Sequence, residues 1–88
     1  MIEGFTEIDA PPHYEATLGD LQITVWWEDW SRWNDAWTGW RFAVFRGTAK
    51  VAFDDGAYPS ADDACRAGMD KAREIQRRAD ETKSKGIA

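Results

Sequence analysis

Two stretches of apolar–polar alternation, each folding back at a glycine, constrain this chain more than any other feature. Tyr14, Ala16 and Leu18 alternate with Glu15 and Thr17. After Gly19-Asp20, Leu21, Ile23, Val25 and Trp27 alternate with Gln22, Thr24, Trp26 and Glu28. A period of two is the signature of a half-buried strand. Gly followed by a polar residue suits a two-residue type II′ turn, whose first position needs a positive φ. Folding there sets Leu18 opposite Leu21, Ala16 opposite Ile23 and Tyr14 opposite Val25. All three pairs are apolar, and a slip of one residue would mix the faces.

The same test applies downstream. Trp40, Phe42 and Val44 alternate with Arg41, Ala43 and Phe45 before a turn at Arg46-Gly47. Pairing outward from that turn predicts Val44 opposite Ala49, Phe42 opposite Val51 and Trp40 opposite Phe53, with Lys50 on the outer face beside Ala43. Asp54-Asp55-Gly56 then ends the strand, and Tyr58-Pro59 leads towards a helix capped by Ser60, with Asp62 and Asp63 in its first turn. Ser at the N-cap accepts an orphan amide, and acids there meet the positive end of the helix dipole. Ala61, Ala64, Cys65, Gly68, Met69, Ala72, Ile75 and Ala79 recur at steps of three and four, one apolar stripe of mostly small residues suited to close packing on a sheet of large ones.

The fold class is therefore α+β: a four-stranded antiparallel meander with one C-terminal helix packed on one face. Residues 1–88 form a single domain, with an arm over 1–12 ending in Ala10-Pro11-Pro12 and a sheet over 13–55 (strands near 14–18, 21–28, 38–45 and 48–54). A helix follows over 60–82, then a frayed tail over 83–88. With 88 residues there is room for one small core.

All six tryptophans lie within residues 26–40, and two readings of that stretch stand side by side. As a hairpin it pairs Trp27 with Trp40, Trp26 with Arg41 and Trp30 with Trp37, with a long loop near Trp33-Asn34. As a helical insertion, Trp26, Trp30, Trp33, Trp37 and Trp40 step by four and three. High β propensity, and Gly39 before the repeat ends, favour the hairpin. Trp27 and Trp40 fit the core. Trp26, Trp30, Trp33 and Trp37 are surplus to it: they form either a satellite cluster with Phe5, Ile8 and Tyr14 or an exposed binding patch beside Arg41 and Phe45.

Catalytic and metal chemistry find little footing. His13 has no nucleophile near it in sequence, Cys65 sits on the apolar stripe as a buried thiol, and no Cys or His pair has metal-ligand spacing. No glycine-rich phosphate loop is present. No enzyme, cofactor or metal role is expected. Residues 1–63 carry twelve acids against four bases, a net −8, and residues 64–88 carry +3, for −5 overall. Direct nucleic-acid binding, which requires neutralising phosphates, is not expected of such a body. A lone cysteine, the absence of a basic or apolar leader in Met1-Ile2-Glu3-Gly4-Phe5 and the absence of a membrane-length apolar run point to a cytoplasmic protein without membrane association.

Strand, Gly47 turn, strand, then Gly56-Ala57-Tyr58-Pro59-Ser60 into an Ala-rich helix resembles the closing half of a double-stranded-RNA-binding domain over about 40 residues. That family opens its helix with a Lys-rich run. Ala61-Asp62-Asp63-Ala64 stands there in this chain, so the resemblance implies topology without RNA binding. In size, charge and lack of catalytic motifs the chain also resembles the small acidic inhibitors of phages and mobile elements, of the anti-CRISPR and anti-restriction kind. That resemblance implies a non-catalytic inhibitor, acting in the host cytoplasm, whose protein partner has a basic nucleic-acid-binding surface. The expected partner-binding residues are Trp26, Glu28, Asp29, Trp30, Trp33, Asp35, Arg41, Phe45, Asp54 and Asp55. Two other readings are a sugar- or cation-binding module with a Trp platform, and a subunit that dimerises through its Trp-rich face.

Overall fold

The computed structural model describes residues 4–9, 12–33 and 37–86, with only the backbone path for 82–86. Five strands run in the order β1 (Thr6–Asp9), β2 (Pro12–Leu18), β3 (Leu21–Glu28), β4 (Gly39–Arg46) and β5 (Ala49–Phe53), followed by helix α1 (Ala61–Gly86). Each strand is antiparallel to the next, and sheet order equals chain order.

The first hairpin holds the register that its alternation dictates: Leu18 faces Leu21, Ala16 faces Ile23 and Tyr14 faces Val25. Gly19 has φ +61 while Asp20 does not enter the positive-φ region, as a type II′ turn requires. Between β3 and β4, Trp26 faces Arg41 and Trp27 faces Trp40, so the tryptophan stretch is a hairpin as far as Glu28 and Gly39. The inner face buries Ala16, Leu21, Ile23, Val25, Phe42 and Val44 beneath Ala64, Cys65 and Ala72 of α1. Gly68 lets the helix come close. A β-carbon there would stand 2.8 Å from Ile23 Cγ2 and 3.3 Å from Phe42 Cγ. The Ser60 hydroxyl accepts the Asp63 amide at 3.1 Å, the expected cap.

Four expectations need correction. Residues 6–9 are a fifth strand, not part of an arm. Thr6 to Asp9 pair with Glu15 to Pro12, and Pro12, which has no amide to donate, is tolerated as the first residue of its strand. The β4–β5 turn is Gly47-Thr48, one residue later than expected, with Gly47 at φ +61 in the same first position as Gly19. A bulge then intervenes. Arg46 faces Ala49 and Phe45 faces Lys50, but Val44 faces Ala52 and Ala43 faces Phe53, which leaves Val51 unpaired. Phe53 therefore points outward and is 66% exposed. The inner position assigned to it, opposite Trp40, belongs to Tyr58, which exchanges both backbone hydrogen bonds with Trp40 (3.0 and 2.8 Å) and sets its ring 6.0 Å from that of Phe42. Trp27, expected in the core, is half-exposed. Finally, α1 continues to Gly86, past the expected end at 82.

Candidate functional site

Helix α1 packs on one face of the sheet only, contacting β2, β3 and β4. Cross-strand pairing lays out the other face in rows. His13, Trp26 and Arg41 stand side by side on β2, β3 and β4. Glu15, Thr24, Ala43 and Phe53 form the next row, and Gln22, Phe45 and Lys50 the one after that. At the Trp26 end this open face hollows into a cleft of about 580 Å³. Its walls are the rings of Trp26, Trp30, Trp37 and Phe53, and its polar lining is Glu28, Arg41, Lys50, Asp54 and Asp55, with Phe42 and Gly56 completing it.

Glu28 organises the cleft. As the last residue of β3 it points to the same side as Trp26. Its Oε1 accepts the Trp26 indole N–H at 2.7 Å and its Oε2 accepts that of Trp30 at 2.6 Å. Arg41 Nη1 lies 3.6 Å from Oε2. The Trp30 hydrogen bond, then that of Trp26, and then the Arg41 charge hold the Glu28 carboxyl below its ordinary range despite partial burial. The loop that carries Trp30 is tied down locally. Its amide donates to Thr38 Oγ1 (2.8 Å), the Trp33 amide to the Trp30 carbonyl (2.8 Å) and the Ser31 amide to Asp29 Oδ1 (2.9 Å). The last of these is an Asx-type turn, and the Ser31 hydrogen bonds lower the pKa of Asp29. Trp37 meets Trp30 edge-to-face at 6.2 Å and 75°.

The opposite wall rests on a buried ion pair. Arg41 donates from Nε to both oxygens of Asp54 at 2.9 Å each and from Nη2 to Oδ1 at 2.6 Å. Asp54 Oδ2 also accepts the Phe42 amide at 2.8 Å, and the Asp54 amide donates to the Phe42 carbonyl at 3.2 Å. Asp54 is only 4% exposed, with its side chain fully engaged inside the protein. The expectation that it faces a partner's basic residue is thereby corrected: its base is Arg41.

Six of the ten expected binding residues thus line the cleft: Trp26, Glu28, Trp30, Arg41, Asp54 and Asp55. Phe45 shares the open face two pairs along β4 from Ala43's row and does not line the cleft. Asp29 and Trp33 lie on the exposed loop, Trp33 at 80% exposure, and Asp35 falls outside the described residues. The satellite cluster with Phe5 and Tyr14 does not form as drawn, because Phe5 is in the core and Tyr14 stacks against Trp40 at 5.8 Å. Phe53 and Lys50 were missed because the bulge that turns Phe53 outward leaves no mark in the alternation. Trp37 was legible from its pairing with Trp30.

Cys65 is completely buried, and burial, with Asp62 adding to it, pushes its thiol up to about 12. Among the described residues no three His, Cys, Asp or Glu side chains converge as a metal site. Nor, among the described residues, is any helix long and apolar enough to cross a membrane. Comparison with protein-family models, curated proteins and solved structures finds no match to this chain.

Proposed function

We propose that this protein is a non-catalytic protein-binding module that docks through the Trp-walled cleft of its open sheet face, acting as a small acidic inhibitor of a nucleic-acid-handling complex in the cytoplasm. The observation that carries this reading is the concentration of exposed rings around the cleft at one end of the open face: Trp30, Trp37 and Phe53, which line it, are 36%, 54% and 66% exposed, and Trp33 on the adjoining loop is 80% exposed. Large rings left in water at a single place are the composition of an interface hot spot, where tryptophan contributes most per residue. The acids Glu28, Asp29 and Asp55 around those rings favour a partner surface rich in Lys and Arg, the kind that otherwise holds phosphates.

The test is capture from a nuclease-treated bacterial lysate with three proteins: wild type, Trp30→Ala/Trp37→Ala, and Arg73→Ala/Arg77→Ala on the exposed side of α1. A partner retained by wild type and by the helix variant, and lost about 30-fold or more with a Trp variant that melts like wild type, supports the reading; that is the loss a hot spot of 2 kcal/mol or more predicts. A partner lost with the helix variant instead would move the interface to α1 and overturn it.

A further inference from the structure

The donors and charges around the cleft specify more than an aromatic surface. The indole N–H groups of Trp26 and Trp30 are both turned to Glu28, and the Nε and Nη2 groups of Arg41 are turned to Asp54. With those donors engaged, what these two indoles keep for a ligand is the π surface of their rings, whose quadrupole is negative and attracts cations. With Arg41 neutralised by Asp54, the charges that remain on the lining are Glu28 and Asp55 against Lys50, a net of −1. Glu28 accepts one indole on each oxygen; Oε2 also has Arg41 Nη1 at 3.6 Å, so Oε1 is the oxygen with a lone pair left for an incoming donor. Exposed Trp37 and Phe53 flank the opening.

We infer that the cleft is a receptor for one basic side chain, the arginine or lysine head of a protein partner, held over the rings of Trp26 and Trp30 and paired with Glu28. This inference rests on the interface reading above and names the chemistry that the interface takes. A sugar would use the same rings but would depend on hydroxyl hydrogen bonds, and with the donors of Trp26 and Trp30 committed the lining donors left to it are Lys50 and Trp37. A basic side chain needs only ring faces and a carboxylate, and both are in place. Aromatic contact and ion pairing at a partly desolvated carboxylate together make the charge of the head group decisive.

The experiment is a titration of the ¹⁵N-labelled protein, followed at the Trp26 and Trp30 indole N–H resonances, with N- and C-blocked arginine and lysine. Blocked citrulline and blocked acetyl-lysine serve as uncharged isosteres, and glucose as the sugar probe. Arginine or lysine should shift both resonances saturably, and the isosteres should bind about tenfold more weakly. Glu28→Gln should abolish the preference for charge, and Phe53→Ala, which removes an exposed ring without touching the core, should weaken binding while leaving the melt unchanged. Equal shifts from citrulline, saturation by glucose, or no shift from either basic probe would overturn the inference. The two readings fail separately. A captured partner that depends on Trp30 and Trp37 while basic probes leave the indoles unmoved sinks only the cationic assignment. Probes that bind while the partner ignores the cleft variants sink the interface.

Discussion

Asp54→Ala should cost this domain about 3–4 kcal/mol. The figure follows from what the carboxylate touches. Breaking a buried ion pair by removing one partner costs about 3–5 kcal/mol, because the other charge is stranded. Here the stranded Arg41 side chain is 21% exposed and keeps Glu28 at 3.6 Å, which places the loss at the lower end of that range. The Phe42 amide, in a buried stretch of β4, loses its 2.8 Å acceptor as well, worth about 1 kcal/mol or more. For a domain of this size that lowers Tm by about 12–32 °C, so urea unfolding of the variant belongs at low temperature. Asp54→Asn keeps an acceptor for Phe42 and one for Arg41, and should lose about 1–2 kcal/mol. A double-mutant cycle with Arg41→Met isolates the pair. With both ends removed no charge is stranded, so the double variant should recover about 2 kcal/mol relative to additivity. A cost below about 1 kcal/mol for Asp54→Ala, with additive single effects, would refute the argument that this pair anchors the end of β5.

Two further perturbations test the other side of the sheet. Gly68→Ala gains about 1 kcal/mol of helix propensity but drives a methyl to 2.8 Å from the β-branched Ile23, which is fully buried and stiff; the net should be a destabilisation of about 1–2 kcal/mol in urea melts, and a more stable variant would mean the helix stands further from the sheet. Cys65 should stay unreactive towards a thiol reagent in the native protein at pH 8 and react on unfolding, as followed by disulfide exchange with a chromogenic reagent. Because its folded pKa of about 12 lies above the ordinary 9, its contribution to stability is complete below pH 9 and is lost as pH rises through about 12.

How far the sequence could be read depended on whether one signal decided each question alone. The β2–β3 register was legible because Gly19-Asp20 fixed the turn and three apolar pairs agreed with it. The β3–β4 register followed from carrying the same face rule to Trp27 and Trp40. The next hairpin departs from its expected register at the turn. Glycine second at Arg46-Gly47 is the sequence expectation, but Gly47 takes the first position, as Gly19 does, which moves the turn by one residue. The bulge at Val51 could not be read from the chain at all, since it is imposed by Tyr58 filling the place beside Trp40 and by Asp54 capturing the Phe42 amide. β1 was hidden for a different reason. Pro11-Pro12 breaks regular structure in general, but at the start of a strand its missing donor costs little. The candidate site was half legible: tryptophan surplus to the core pointed to the end of the sheet where the cleft lies. The internal pairing of Arg41 with Asp54 was invisible, because an acid in Asp54-Asp55-Gly56 looks like any solvated turn residue until its partner is placed.

The departures from simple alternation are the features that build the cleft. Without the bulge, Phe53 would face inward and compete with Tyr58 for the space against Phe42 and Trp40, and the outer face would lose a ring of its wall. Asp54 ends β5 at the point where its carboxylate can hold Arg41 flat beside Trp26, and Arg41 in turn stands 3.6 Å from the carboxylate that aims Trp26 and Trp30. If the cleft is the proposed interface, stability and recognition therefore share one polar chain, Asp54 to Arg41 to Glu28. Perturbing its buried end must disturb both properties together. The rings at its exposed end, Trp37 and Phe53, lie outside the buried core, so in the proposed interface they would serve recognition alone. A change in binding without a change in melting is thus expected most cleanly at that exposed end, which makes those two rings the decisive positions for separating what this surface binds from what holds it together.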